Sequence, residues 1–252
     1  MQLNEAIKKY LKTNGFEEMC LKAVLFDMDG VLFDSMPNHA HSWSSVMTRY
    51  GLHMSPEEAY MHEGRTGSST INILTNQYWG RNATEQEIKD IYATKSETFN
   101  HYPDAPKMPG AEEILEKVKN DGLKIVLVTG SGQLSLLNRL EENFPDIFCK
   151  ELMVTSFDVK KGKPNPEPYL MALQKAGVKP WEAIVVENAP LGIHAGVAAN
   201  IFTIAVNTGP LADKVLNDEG ANLLFHSMLE LTAHWEDIHS TMTRVMKTPI
   251  LK

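Results

Sequence analysis

Short apolar runs alternate along the chain with segments whose apolar residues recur at helical spacing. The first run, Ala23 to Phe26, stops at the acidic residue Asp27, which is typical of a buried strand that ends at a polar site. From Gly110 onward the alternation has the spacing of βαβ units, and it predicts a parallel sheet with helices on both faces. We predict further strands at 123–128, 152–155, 183–187, 201–206 and 222–225, and helices at 111–120, 133–143, 166–177, 190–199 and the end of the chain.

The segment between the first strand and Gly110 shows helical patterns and no convincing strand. Its predicted helices are Pro37–Tyr50, Ser55–Glu63, Ser68–Trp79 and Thr84–Tyr102. Another short amphipathic helix, within residues 1–14, precedes the first strand. The predicted fold class is therefore α/β, a doubly wound parallel sheet with an inserted all-helical unit. We expect three parts: an N-terminal helical extension (1–20), a core (21–36 and 108–252) and the insertion (37–107).

Composition and charge narrow the class of protein. The 252 residues suit one large domain or two modest ones, and no apolar run reaches the about 18 residues that cross a membrane. Cys20 and Cys149 lie far apart, and the N-terminus lacks the apolar core of a secretory signal. A net charge of -8 without a basic stripe argues against nucleic-acid binding. We expect a cytoplasmic protein, monomeric or weakly oligomeric, with no membrane or nucleic-acid partner.

The residues after the first strand suggest chemistry, because Asp27 and Asp29 are two apart and their carboxylates would converge if the chain stays extended. One interpretation is that Asp29-Gly30 marks only a hairpin turn. A calcium loop counted from Asp27 fails, since Leu32 stands at the position of the turn glycine and Asn38 at that of the bidentate glutamate. In a third interpretation one carboxylate attacks a phosphorus atom and the other handles the proton on the leaving or entering oxygen.

Polar residues also follow the later predicted strands. They are Thr129 with Gly130, then Lys163, then Glu187 with Asn188. Because ligands of doubly wound sheets bind beyond the carboxyl ends of the strands, these groups and the acid pair together suggest a phosphate and magnesium site. Each also has a simpler interpretation. The loop after Thr129 could be a tight turn or an imperfect dinucleotide fingerprint, Lys163 a surface lysine, and Asn188 the cap of the next helix.

Four motifs occur in a fixed order. They are the DxDGVLxDS stretch at Asp27 to Ser35, Thr129 after a hydrophobic strand, Lys163 within GKPxPxxY, and an acidic pair position at Glu187-Asn188. In this order and spacing the chain resembles the haloacid dehalogenase-like hydrolase superfamily, over nearly its whole length apart from the first twenty residues. It is most similar to the subgroup of small phosphosugar phosphatases and β-phosphoglucomutases. The resemblance implies a Rossmann-like core, with residues 37–107 as a helical cap.

The resemblance also implies a two-step, Mg²⁺-dependent reaction. Asp27 would take the phosphoryl group as an aspartyl phosphate, and Asp29 would protonate the leaving oxygen and then deprotonate the incoming water or hydroxyl. The implied metal ligands are the Asp27 carboxylate, the Asp29 backbone carbonyl and the pair Glu187 and Asn188. The implied phosphate-binding groups are Thr129, the adjacent amides including Gly130, and Lys163.

Three residues of the cap align with positions that, in the mutases, contact the sugar phosphate or position the acid-base aspartate. They are His39, Trp43 and Arg65. His39 could equally be an ordinary helix residue. Arg65 could be a solvated loop residue, although its fork of donors suits a distal phosphate.

Two features depart from the family pattern. Asn188 stands where Asp is usual, so one negative charge is missing and metal binding should weaken or shift towards Glu187. We therefore expect Asn188→Asp to tighten the apparent Mg²⁺ affinity. The loop Gly130 to Gln133 lacks the Lys-Asn pair of the mutases, which favours a phosphatase acting on a small phosphorylated metabolite, with a sugar phosphate expected. A phosphosugar mutase is the alternative, and a phosphometabolite-binding protein with little turnover is a third interpretation.

Overall fold

The structure, a computed structural model, describes residues 3–131, 136–243 and 245–246, without the side chains of 136–138 and 245–246. The helices are α1 (Leu3–Asn14), α2 (Met36–Arg49), α3 (Pro56–Met61), α4 (Gly67–Trp79), α5 (Glu85–Asn100), α6 (Ala111–Asn120), α7 (Leu136–Asn143), α8 (Glu167–Ala176), α9 (Pro190–Ala198), α10 (Asp213–Asp218), α11 (Met228–Ala233) and α12 (Trp235–Met242). The strands are β1 (Glu18–Met19), β2 (Ala23–Phe26), β3 (Lys124–Val128), β4 (Met153–Val154), β5 (Ala183–Glu187), β6 (Phe202–Val206), β7 (Leu223–Phe225) and β8 (Val245–Met246).

Six strands form one sheet in the order β4-β3-β2-β5-β6-β7. All neighbouring pairs in it are parallel. The strands β2, β5 and β6 are buried along their whole length, which explains why they consist of nearly continuous apolar runs. From β2 the chain proceeds to one side of the sheet and later returns to the other side at β5. The crevice beyond the ends of these two strands is where such sheets bind ligands.

Helices cover both faces of the sheet, and this confirms the predicted doubly wound α/β class. Val24 and Phe26 of β2 pack into an apolar cluster with residues of α1, α6 and α12. Ala23 and Leu25 point to the opposite face and pack with residues of α8 and α9. Alternate residues of β2 therefore anchor the two layers, as the period of two in a strand requires.

The predicted cap contains four helices, α2 to α5, and no strand between Met36 and Tyr102. They pack around their own apolar cluster, which includes Val46, Ile71 and Ile91. The chain enters and leaves the cap along one short ladder, in which the Asp34 N–H donates to the Pro106 carbonyl at 3.0 Å. The chain thus passes between the core and the cap at one place. The boundaries of the three predicted parts stay a prediction.

The described ends of the elements coincide with the predicted ends or differ from them by one or two residues, and a few elements are new. The helix predicted at 133–143 is described from Leu136, and residues 132–135 lie outside the described part of the chain. The predicted closing helix is two helices, α11 and α12. The antiparallel pair of β1 and β8 has two residues in each strand, too few to produce a recognisable period. No helix in the described ranges is long and apolar enough to span a membrane.

Candidate active site

Asp27 follows β2 directly and is buried at the carboxyl edge of the sheet. Its Oδ1 accepts a hydrogen bond from Lys163 Nζ at 2.6 Å. The same ammonium donates to Glu187 Oε1 at 2.5 Å and to the Val128 carbonyl at 3.0 Å, so its three N–H groups are all engaged by protein. Burial raises the pKa of Asp27 above its ordinary value, and the adjacent Lys163 ammonium opposes that rise.

Glu187, the last residue of β5, orients this ammonium. Its Oε1 accepts from Lys163 and from the Tyr169 hydroxyl at 2.9 Å, and its Oε2 accepts from the next two backbone N–H groups at 3.0 and 3.1 Å. Four donors therefore satisfy the buried carboxylate. Tyr169 belongs to α8, and the centre of its ring lies 5.3 Å from Lys163 Nζ. Glu187 and Tyr169 together hold the lysine against Asp27.

Asp29 is held by a different set of residues. Its Oδ1 accepts from the Ser35 hydroxyl and lies 3.3 Å from His39 Nε2. His39 Nδ1 lies 2.7 Å from Lys95 Nζ. Because an ammonium only donates, Nδ1 is the acceptor, and Nε2 carries the proton that faces Asp29. Burial lowers the pKa of His39, and the Lys95 charge lowers it further although Asp29 raises it, in agreement with a neutral imidazole.

The residues around Asp29 fix its charge. Burial alone would raise the pKa of Asp29, but His39, Ser35 and Lys95 lower it to about 2. Asp29 is therefore ionised at neutral pH and is a proton acceptor. Lys95 lies on the buried side of α5, and burial lowers the pKa of its ammonium to about 8.

The lowered pKa of Lys95 predicts a pH dependence of stability. Between about pH 8 and 10.5 the unfolded chain holds a proton on Lys95 that the folded protein has released, so the contribution of this residue to the free energy of unfolding rises with pH. We expect the unfolding free energy of wild type to rise, relative to that of Lys95→Met, by on the order of 1–3 kcal/mol across this window. Chemical denaturation at pH 7 and pH 10 measures it.

The matched control for this prediction is Lys89→Met, since Lys89 lies on the exposed side of the same helix. Its difference from wild type is expected to stay constant over the same pH range. A Lys95→Met difference that is independent of pH would show that the Lys95 ammonium keeps its ordinary pKa in the folded protein.

A buried hydrogen bond joins the cap to the core at Asn188. Its Nδ2 donates to Glu63 Oε1 at 3.0 Å. Burial, with the charges of Asp27 and Glu187, raises the pKa of Glu63 well above its ordinary value. The other amide atom, Asn188 Oδ1, is buried and has no hydrogen-bond partner among the described residues. An unsatisfied buried carbonyl oxygen next to carboxylates is suited to binding a cation.

The cap loop 64–66 packs directly on two loops of the core. A Cβ atom on Gly130 would lie 3.0 Å from the Gly64 carbonyl oxygen, and one on Gly162 would lie 2.8 Å from Thr66 Cγ2. The glycines of the core therefore permit this close approach. A cavity of about 70 Å³ lies beneath the cap, and its lining includes Asp27, Asp29, His39, Trp43, Arg65, Lys95 and Gly130.

Most of the predicted site residues thus lie at one place. Lys163, Glu187 and Asn188 do not line the cavity. Lys163 donates to Asp27 and Asn188 donates to Glu63, whereas Glu187 contacts Lys163. Thr129 is buried nearby, where its Oγ1 accepts from the Ser131 N–H at 3.0 Å, and it borders a neighbouring small space instead. The chemical roles predicted for these residues are not tested by their positions.

Three residues of the site, Lys95, Glu63 and Tyr169, are not among those predicted from the sequence. Lys95 has a recognisable signal, because it lies four residues after the buried Ile91 on the same side of α5, where an apolar residue is expected. Glu63 has no such signal, since its contact exists only after the cap folds onto the core. The end of the fingerprint alternative, Gly132 to Ser135, lies outside the described residues.

An acid pair at the switch point of a doubly wound sheet, enclosed by a helical insertion, is the arrangement of an α/β enzyme, and comparison with known proteins identifies the family. The model of the haloacid dehalogenase-like hydrolase family matches residues 24–206. Hexitol phosphatase A from Escherichia coli (strain K12) is 34% identical over 217 residues, which cover 85% of this chain and 94% of that protein. A phosphorylated carbohydrates phosphatase from Thermotoga maritima is 31% identical over 202 residues, which cover 80% and 92%.

A solved structure from Bacteroides vulgatus, of a protein provisionally assigned as a beta-phosphoglucomutase, is also similar. It has a TM-score of 0.93 and 64% sequence identity, and the match covers 95% of this chain and 98% of that one. The chain belongs to the haloacid dehalogenase-like hydrolase family. It is an enzyme, of the hydrolase or mutase type.

Proposed function

We propose that the protein is a Mg²⁺-dependent phosphatase that hydrolyses a small phosphorylated metabolite through an aspartyl phosphate on Asp27. The observation that supports this most is the pair of Asp27 and Asp29 on one cavity beneath the cap, the first carboxylate held by an ammonium and the second by an imidazole. The similarity to a hexitol phosphatase and a phosphorylated carbohydrates phosphatase supports a sugar phosphate as the substrate class.

In the first step the Asp27 carboxylate attacks phosphorus and the bond to the leaving oxygen breaks. Lys163 engages Asp27 Oδ1, and Oδ2 has no hydrogen bond to any described residue, so Oδ2 is the attacking atom. Asp29 gives the leaving oxygen a proton. A carboxyl group with a pKa of about 2 holds little proton at neutral pH, but the negative phosphoryl group beside it raises this pKa when substrate enters.

In the second step water attacks the phosphorus of the aspartyl phosphate, and the bond to Asp27 breaks. Asp29 accepts the proton of that water and so regains the protonated form in which it began the first step, and it releases this proton when phosphate leaves. Gly130 borders the cavity, and its backbone N–H forms no hydrogen bond with the described residues, so it is available to the phosphoryl oxygens. Lys163 acts on the phosphoryl group by its charge, because its three N–H groups are engaged by protein as the site stands.

The oxygen donors that are present at the site suit Mg²⁺. Asn188 Oδ1 is a buried oxygen without a partner, and the repulsion among nearby carboxylates contributes to the raised pKa of Glu63. We assign the metal to Asp27, the Asp29 carbonyl, Asn188 and, from the cap, Glu63. When bound, the ion supplies positive charge that stabilises the phosphoryl oxygens. The described residues contain no group of three or more His, Cys, Asp or Glu side chains arranged for a metal, so amide and carbonyl oxygens are needed.

The predicted metal role of Glu187 has less support than that of Asn188. All four hydrogen bonds of the Glu187 carboxylate go to groups of the protein. A metal contact would have to replace one of these donors. Glu187 therefore serves mainly to position Lys163.

Exchanging the carboxylate and the amide between positions 63 and 188 tests the metal assignment. We expect Glu63→Gln to raise the Mg²⁺ concentration for half-maximal activity by roughly 10-fold or more. We expect Asn188→Asp to lower that concentration but to destabilise the metal-free protein, because two buried carboxylates then face each other. The double variant keeps one carboxylate and one amide, so it should be near wild type in both measurements.

Mg²⁺ titration of activity and thermal unfolding of the metal-free protein provide the two readouts. Glu57→Gln is the matched control, because Glu57 is an exposed acid of α3. It should change neither readout. An unaltered Mg²⁺ requirement in Glu63→Gln would remove Glu63 from the metal site.

A substrate panel tests the proposed activity, with released phosphate as the readout. The cavity holds about 70 Å³ and its lining includes Arg65 and Lys95, so small substrates with an anionic leaving group should be included. The panel should extend from hexitol phosphates to triose phosphates and inorganic pyrophosphate. β-Glucose 1-phosphate with a trace of the bisphosphate separates the two alternatives: free phosphate supports the phosphatase, and glucose 6-phosphate identifies a mutase. If no substrate in the panel is hydrolysed or isomerised, the result supports the alternative of a phosphometabolite-binding protein.

A further inference from the structure

A second and larger cleft lies between the cap and the core, outside the cavity that holds Asp27 and Asp29. Its volume is about 610 Å³. The cap contributes Arg65 to its lining, and the core contributes Lys160, Lys161, Lys163 and His194. Among the described residues no Asp or Glu lines it, although the chain as a whole carries a net charge of -8. We call it the basic cleft.

The exposed ammonium groups of the basic cleft are available to a ligand. Lys160 and Lys161 are exposed, and their ammonium groups form no hydrogen bond or salt bridge with the described residues. Glu167, the carboxylate bound to this loop, accepts instead from the backbone N–H groups of the two lysines, at 2.7 and 3.1 Å. His194 is paired with Glu219 at 2.9 Å. The free positive charge therefore comes from Lys160, Lys161 and Arg65.

Arg65 connects the basic cleft to the cavity beneath the cap, because it borders both. Its Nε is buried and lacks a hydrogen-bond partner among the described residues. The wall between the two spaces is the cap loop 64–66, which packs on Gly130 and Gly162. Cap movement of this kind admits substrate to the space beneath, and withdrawal of this loop would join the two spaces.

We propose that the basic cleft is the capture site for the anionic substrate, which binds first between Lys160 and Lys161 and passes to Arg65 and the cavity as the cap closes. This inference rests on the proposed function in requiring a phosphorylated substrate. An acidic protein repels such a substrate at long range. A local cluster of cations in a cleft reverses this and raises association rates by about 10–10³-fold, with a strong dependence on salt.

The association rate constant of inorganic phosphate, in the presence of Mg²⁺, tests the proposal. Trp43 lines the cavity beneath the cap and serves as the fluorescence reporter in stopped-flow measurements. We expect Lys160→Gln/Lys161→Gln to lower the rate constant roughly 3- to 10-fold at low salt and to flatten its dependence on sodium chloride. Lys8→Gln/Lys9→Gln is the matched control, since it removes two adjacent exposed lysines from α1. It should change the rate constant less than about 2-fold.

Equal effects of the two double variants would overturn the proposal, and so would a slower association that does not depend on salt. Failure of the proposed function has a different result. If Asp27→Asn leaves phosphate release intact while the lysine variant still slows phosphate association, the capture site stands and the catalytic assignment falls. If Asp27→Asn abolishes release and the lysine variant behaves as its control does, only the capture site falls.

Discussion

Replacing Asp27 with Asn is expected to reduce phosphate release by at least about 10⁴-fold, a loss of the size that removal of a nucleophile produces. The amide has nearly the same shape as the carboxylate, but its oxygen does not attack phosphorus. Lys163 loses its contact with a charged oxygen at 2.6 Å and keeps Glu187 at 2.5 Å. The core of the site should therefore remain assembled. Phosphate release from the best substrate of the panel measures the effect.

Asp34→Asn is the matched control for this change. Asp34 lies in the same segment of the chain and is exposed, so its activity should equal that of wild type. Thermal unfolding of both variants separates a chemical loss from a structural one. If Asp27→Asn keeps more than about a tenth of wild-type activity, far above the residual activity expected without a nucleophile, another group accepts the phosphoryl group.

The sheet is predictable from the sequence because its central strands are buried on both faces. Such strands must be nearly continuous apolar runs, and both β2 and β5 have this composition. The polar residues that follow them are brought together because parallel strands end at the same edge. This is why Asp27 and Glu187 could be assigned to one site before the structure was known. The pair of β1 and β8 has no such signal, since pairing between distant two-residue segments depends on tertiary packing.

The part of the site that the cap contributes is less predictable. His39 was expected near Asp29 only by resemblance, and nothing in the sequence indicates that Lys95 would bind its other ring nitrogen at 2.7 Å. The two residues lie on different helices, α2 and α5. Contacts of this kind follow from how the cap helices pack against each other. A buried lysine in an otherwise apolar helix face is the one local signal that such a contact exists.

The structure changes the interpretation of Asn188. In the sequence it is a missing negative charge. In the structure its Nδ2 donates to Glu63, so a carboxylate from the cap lies beside the position where the family usually has one in the core. The amide permits this hydrogen bond, whereas an aspartate at 188 would face the Glu63 carboxylate. The closed position of the cap and the composition of the proposed metal site are therefore linked through one hydrogen bond.

Asp29→Asn is expected to lower steady-state turnover by about 10²–10⁴-fold, the usual contribution of a positioned proton-transfer group. The variant differs from Asp27→Asn because the nucleophile is intact. With acetyl phosphate, whose leaving group needs no proton, Asp27 should still be phosphorylated. The second step requires a base to take the proton of water, and the amide does not supply one. The aspartyl phosphate should then accumulate.

Intact mass after rapid quenching measures this accumulation, as a mass increase of one phosphoryl group that approaches about one per protein molecule. The double variant Asp27→Asn/Asp29→Asn is the control, and it should show no added mass. Wild type should show little, because its Asp29 carboxylate, ionised after the first step, takes the proton of the attacking water. Rapid turnover by Asp29→Asn without accumulated phosphoprotein would contradict the assignment. His39, 3.3 Å from Asp29, would then be the next group to test as the base.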